Sequence, residues 1–203
     1  MKYPFFASFI ILILVIRHAI RRNRRIGEES QVSFWERERK ANEVRRKPLD
    51  DLIFIKPDLE SLPIDVMTDD EEIAECINTA RQLSEQKIVN LTGYTNTDLK
   101  MKYGVANLPL LMEYDERFTI LVQTLQKWAD RLWDNGHTED AVRILEEQVR
   151  IHADVAAAYK KLARYYTDNG LSEKIEPLRK TAESLNSPSK TVILRYLDEL
   201  QSA

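Results

Sequence analysis

The residues of this chain with a type and spacing suited to chemistry are three histidines, one cysteine, a run of acids and a close pair of cations. His18, His137 and His152 stand far apart, and none belongs to an H-E-x-x-H or C-x-x-C arrangement. Cys76 is the one cysteine, which excludes an intramolecular disulfide framework and any multi-cysteine zinc or iron–sulfur site. It shares an apolar helical face with Ile73, Ile77 and Ala80, so it reads as a core residue rather than a nucleophile. The run Thr68-Asp69-Asp70-Glu71-Glu72 lacks the spaced acids and glycine of a calcium loop and reads as a capped helix start. Five glycines leave no Gly-rich phosphate loop, and no G-x-S-x-G elbow occurs. Tyr103, Tyr114, Tyr159, Tyr165, Tyr166 and Tyr196 read as packing residues. The sequence therefore predicts no enzyme, no cofactor, no metal and no small-molecule substrate. Lys160 and Arg164, four apart on a helix, share a face and suit binding rather than catalysis.

The elements that must position such a face begin with a membrane tether. Pro4 to Ile16 is uncharged and apolar, and an 18-residue span from Tyr3 to Ile20 is interrupted only by Arg17 and His18. A membrane helix needs about 20 apolar residues, so Arg17 must snorkel to the headgroups. One lysine precedes the run, and Arg17, Arg21, Arg22, Arg24 and Arg25 lie within or follow it. No small-residue cleavage site follows either, which disfavours a secretory signal peptide. The positive-inside rule places the body in the cytoplasm of a single-pass cell-membrane protein. The five arginines and Trp35 are expected at the membrane interface.

Charge divides the chain at the same place. Residues 1–47 hold twelve Lys/Arg against five Asp/Glu, a balance of +7; residues 48–203 hold eighteen against 28, a balance of −10. An acidic body argues against nucleic acid as a partner. Residues 21–47 read as a basic juxtamembrane helix, either a solvated connector or a lipid-binding or oligomerising stalk; sustained apolar heptads for a coiled coil are lacking. Pro48, Pro57 and Pro63 forbid a continuous helix over 48–69, yet Leu49, Leu52, Ile53, Phe54, Ile55, Leu59, Leu62, Ile64 and Val66 are too apolar for a free linker. This segment is predicted to be an extended strap, with a short strand possible over Leu52–Ile55. Residues 70–203 then form a helical domain. Helices are expected over Asp70–Lys87, after the caps Thr95, Asn96 and Thr97, over Pro109–Trp133 and over Lys190–Gln201.

Residues 122–155 and 156–189 align at a spacing of 34. Leu125 falls on Tyr159, Trp128 on Leu162, Ala129 on Ala163, Leu132 on Tyr166, and Asn135-Gly136 on Asn169-Gly170. This period, with a helix–turn–helix reading, resembles the tetratricopeptide family. Tyr159, Leu162, Ala163, Tyr166, Gly170, Ala182 and Pro188 match its pattern in the second unit, whereas the first has Ala153 in place of the terminal proline. Ile175 and Arg179 also depart from the family's second helix. The resemblance covers roughly 68 residues and implies an all-α solenoid body. The strings FWERERKANEVRRKPLDDL, NLTGYTNTDLKMKYG and ANLPLLMEYD also resemble an uncharacterised group of membrane-anchored proteins of Gram-positive bacteria, which implies no activity.

In the tetratricopeptide family the first helix of each repeat lines a groove for protein partners. The resemblance carries this role to Gln123, Gln126, Asp130 and Trp133 in the first unit and to Lys160, Arg164 and Thr167 in the second. The alternative is a solvated face with Trp133 packed inside. The expected function is a membrane-tethered adaptor or scaffold for an unidentified protein, one with an acidic or aromatic-rich segment. Two other classes stay open: a structural subunit of a membrane complex that packs through its transmembrane helix, and a sensor of the lipid surface.

Overall fold

The computed structural model describes residue 16 and residues 31–201. The predicted anchor, apart from Ile16, and the interface residues Arg17, Arg21, Arg22, Arg24 and Arg25 lie outside the described residues. Among the described residues no helix is long and apolar enough to cross a membrane. The described chain is all-α. Its helices are α1 (31–42), α2 (Glu71–Ser84), α3 (Asn96–Tyr103), α4 (Leu108–Asp134), α5 (Thr138–Arg150), α6 (Ala156–Asp168), α7 (Ile175–Ser184) and α8 (Ser189–Gln201). Two short 3-10 turns, Val105–Asn107 and Ser172–Lys174, accompany them.

The chain divides into two compact units, Met1–Lys47 with Thr95–Leu108, and Pro48–Tyr94 with Pro109–Ala203. The sequence reading assigned residues 95–108 to the helical domain 70–203; the structure groups them with the N-terminal segment. Hydrogen bonds explain the grouping. Lys47 donates its backbone N–H to Tyr103 and Val105 donates to Val44. Buried Asn107 accepts from Arg46 Nε at 2.9 Å and donates to the carbonyls of Lys47 at 2.7 Å and Tyr103 at 2.8 Å. Buried Ala41, Leu99 and Tyr103 add a small apolar centre. α1 and α3 are joined through Glu38, which accepts from Thr97 Oγ1 at 2.6 Å and from Lys100, and through the Arg37–Asp98 ion pair. Thr95 and Asp98 form a reciprocal capping box that starts α3.

In the second unit α2 starts on Asp70, whose carboxylate accepts from the N–H groups of Glu72 and Ile73. It ends at Ser84, three residues short of the expected Lys87; a turn from Gln86 N–H to the Leu83 carbonyl closes it. The strap contains no helix. One antiparallel bridge, Ile55 to Ile88, stands where a strand over Leu52–Ile55 was expected. Glu147, 3% exposed on α5, holds the strap. It accepts from the Asp58 backbone N–H at 3.0 Å and from both Nε and Nη2 of Arg150, while Arg150 also donates to the Lys56 carbonyl at 2.8 Å.

Positions 34 residues apart are packed alike. Leu125 and Tyr159, Trp128 and Leu162, Ala129 and Ala163, and Leu132 and Tyr166 are all buried in one core. A further step of 34 from Tyr159 and Ala163 reaches Ile193 and Leu197 of α8, both fully buried. The helix ends repeat as well. Gly136 (φ 83°) and Gly170 (φ 70°) take the left-handed conformation that a side chain disfavours. In α4, His137 N–H bonds to Leu132 O and Gly136 N–H to Trp133 O; in α6, Leu171 N–H bonds to Tyr166 O and Gly170 N–H to Thr167 O. Both are the paired bonds that close a helix on a left-handed residue.

Candidate protein-docking groove

The second half of α4, the turn into α5, and α6 enclose an open groove of about 870 Å³. Trp133 and Tyr165 form its aromatic wall, their rings 6.4 Å apart and edge to face. Such pairs supply rigid, amphipathic contact area at little entropic cost. Lys161 reaches across from α6, donating to Asp130 Oδ1 at 2.7 Å with its ammonium 5.2 Å from the Trp133 ring centre. Gln126 donates to the same carboxylate oxygen at 2.9 Å. Arg164 lines the groove and lies 3.6 Å from Asp168. His137, Glu139 and Asp140 complete the rim at the start of α5.

Of the residues assigned from sequence, Gln126, Asp130 and Trp133 form one connected set, and Arg164 lies on the same groove. Gln123 is exposed one turn before Gln126. Thr167 donates to the Ala163 carbonyl at 2.9 Å and does not line the groove. Lys160 is directed elsewhere: its ammonium lies 5.3 Å from the Tyr196 ring of α8. Sequence reasoning missed Lys161 and Tyr165. The signal was present, because 161, 164, 165 and 168 form an i, i+3, i+4, i+7 stripe opposite the buried Tyr159, Leu162 and Tyr166. Trp35 lies in the first unit, 65% exposed, with its ring 5.4 Å from Phe34.

The other chemistry-bearing side chains are built into the core or its edges. Cys76 is buried, and burial pushes its thiol above the ordinary range. Burial, assisted by Asp154, raises the Tyr159 phenol. The Tyr166 phenol is raised by burial too, and donates to Glu146 at 2.7 Å. Among the described residues no group of three His, Cys, Asp or Glu side chains is placed to hold a metal ion. Compared with family models, with curated proteins and with solved structures, the chain shows no match.

Proposed function

We propose that this chain is a membrane-tethered protein-interaction adaptor whose body is a short tetratricopeptide-like array. In this reading the second half of α4 with α5 is one repeat, α6 with α7 the next, and α8 is a closing helix. The buried positions spaced by 34 and the matching left-handed helix ends support that register. The tether is the apolar run before Ile20, followed by arginines that attract anionic headgroups. The body then meets its partner at the cytoplasmic face.

One observation carries the binding role: Trp133 and Tyr165, packed against the core on one side, leave the rest of their surface lining the groove. Lys161 and Arg164 each face a carboxylate, and Lys160 faces Tyr196. Charge attraction for an acidic segment is therefore weaker than two free cations would give. The aromatic wall, with its polar rim, becomes the main recognition element, as expected where a few aromatic anchors dominate binding. The test is co-purification from native membranes with the full chain and with Trp133→Ala/Tyr165→Ala. Loss of one defined partner with an unchanged circular-dichroism spectrum supports the reading. Retention of that partner moves the contact to the strap or to the tether.

A further inference from the structure

The first described turns of α1 carry an apolar surface that the first unit does not use. The inner face of the helix is occupied: Ala41 is fully buried, and Glu38 is held by Thr97 and Lys100. Val32, Trp35 and Arg39 follow one another at i, i+3 and i+7, so they share a different face. Val32 is 59% exposed, Phe34 53% and Trp35 65%, with the two aromatic rings in edge-to-face contact. Phe34, on the row of Glu38 and Ala41, joins that face only through its ring contact with Trp35; the three side chains, all more than half exposed, leave an apolar edge that water solvates poorly.

We propose that α1 lies along the membrane surface, with Val32, Phe34 and Trp35 set at the boundary between headgroups and acyl chains. The proposal rests on the tether reading above and adds a second, interfacial contact to it. Two observations favour lipid as the occupant. The patch begins seven residues after Arg25, the last of the arginines that follow the apolar run, so a tethered chain brings it close to the bilayer. Exposed Arg39 and Lys40 lie beside it, and residues 31–47 hold six Lys/Arg against three Asp/Glu. That excess repels a second copy packed on the same patch, whereas anionic phosphates attract it. Tryptophan suits this depth because its ring is apolar and its N–H finds water or phosphate. An in-plane helix with an apolar edge and basic flanks binds membranes in this manner.

The test uses the full chain reconstituted into vesicles of mixed zwitterionic and anionic phospholipid, with and without bromine on the acyl chains. Bromine quenches tryptophan emission only on contact. Trp128 is fully buried in the second unit and Trp133 lines the groove, so both supply a background that Trp35→Phe leaves in place. The expected result is quenching of the wild-type chain by brominated lipid and loss of that quenched fraction in Trp35→Phe. Equal quenching of the two chains, when both float with the vesicles, overturns the proposal and leaves the tether intact. Trp35 that is shielded from aqueous acrylamide yet untouched by bromine shows that protein covers the patch, which also overturns it. A chain that does not float with vesicles at all removes the tether reading, and this proposal with it.

Discussion

His152 ends α5 in the left-handed region at φ 57°, where Gly136 and Gly170 end α4 and α6. The paired closing bonds recur there, from His152 N–H to Val149 O and from Ala153 N–H to Gln148 O. A side chain in this conformation is strained, so His152→Gly is expected to raise stability by about 0.5–1 kcal/mol, measured by urea denaturation. A loss would show that the ring contact to the Arg150 carbonyl outweighs the backbone strain. Leu162 is fully buried, and Leu162→Ala is expected to cost about 2–5 kcal/mol. A cost below about 0.5 kcal/mol would contradict the core position that its 34-residue equivalence to Trp128 assigns. These apolar positions were legible because a helix repeats its buried face every three to four residues. The groove cation was legible only from the stripe of 161, 164, 165 and 168, not from the repeat. Lys160 and Lys161 are adjacent, and repeat spacing alone does not decide which turns toward Trp133 and which toward Tyr196.

The strap and α2 show how polar side chains fix elements that propensity leaves open. Three prolines marked the strap as non-helical, but its attachment depends on Glu147, 89 residues away from Asp58 in sequence. Local patterns carry no trace of such a pairing. Arg150→Ala leaves the Glu147 carboxylate buried with one backbone donor, and is expected to destabilise the second unit by about 2–3 kcal/mol. Thermal melts of Arg150→Ala and Glu147→Gln measure it; a change near zero would mean that the strap is held by its apolar residues alone. The start of α2 has a pH signature. The Arg131 guanidinium beside Asp70 holds its carboxyl below the ordinary carboxylate range. Thr95 does the same for Asp98, and Lys100 with Thr97 for Glu38. Each group binds its proton more readily unfolded than folded, so its contribution is complete above the ordinary carboxylate pKa of about 4 and is lost as pH falls below it. The melting temperature should therefore hold between pH 7 and 5 and drop below pH 4. Asp70→Asn should flatten that acid limb; an unchanged acid limb would show that the Arg131 pair does not contribute.

At the scale of the whole molecule, the all-α class and the stretch of paired helices were legible from periodicity, capping residues and the 34-residue spacing. The grouping of Thr95–Leu108 with the N-terminal segment was not, because it depends on Asn107 and on backbone bonds across about 60 residues. The charge division, +7 over residues 1–47 and −10 beyond, is the sequence feature on which the proposed tether rests. The proposed binding face is that of α4 and α6 around Trp133 and Tyr165. The most direct test places a photo-crosslinking amino acid at position 165 of the full chain in native membranes, with exposed position 176 of α7 as the control. One dominant adduct is expected from position 165, absent from position 176 and lost when Trp133→Ala is added. Equal, diffuse labelling from both positions would contradict it.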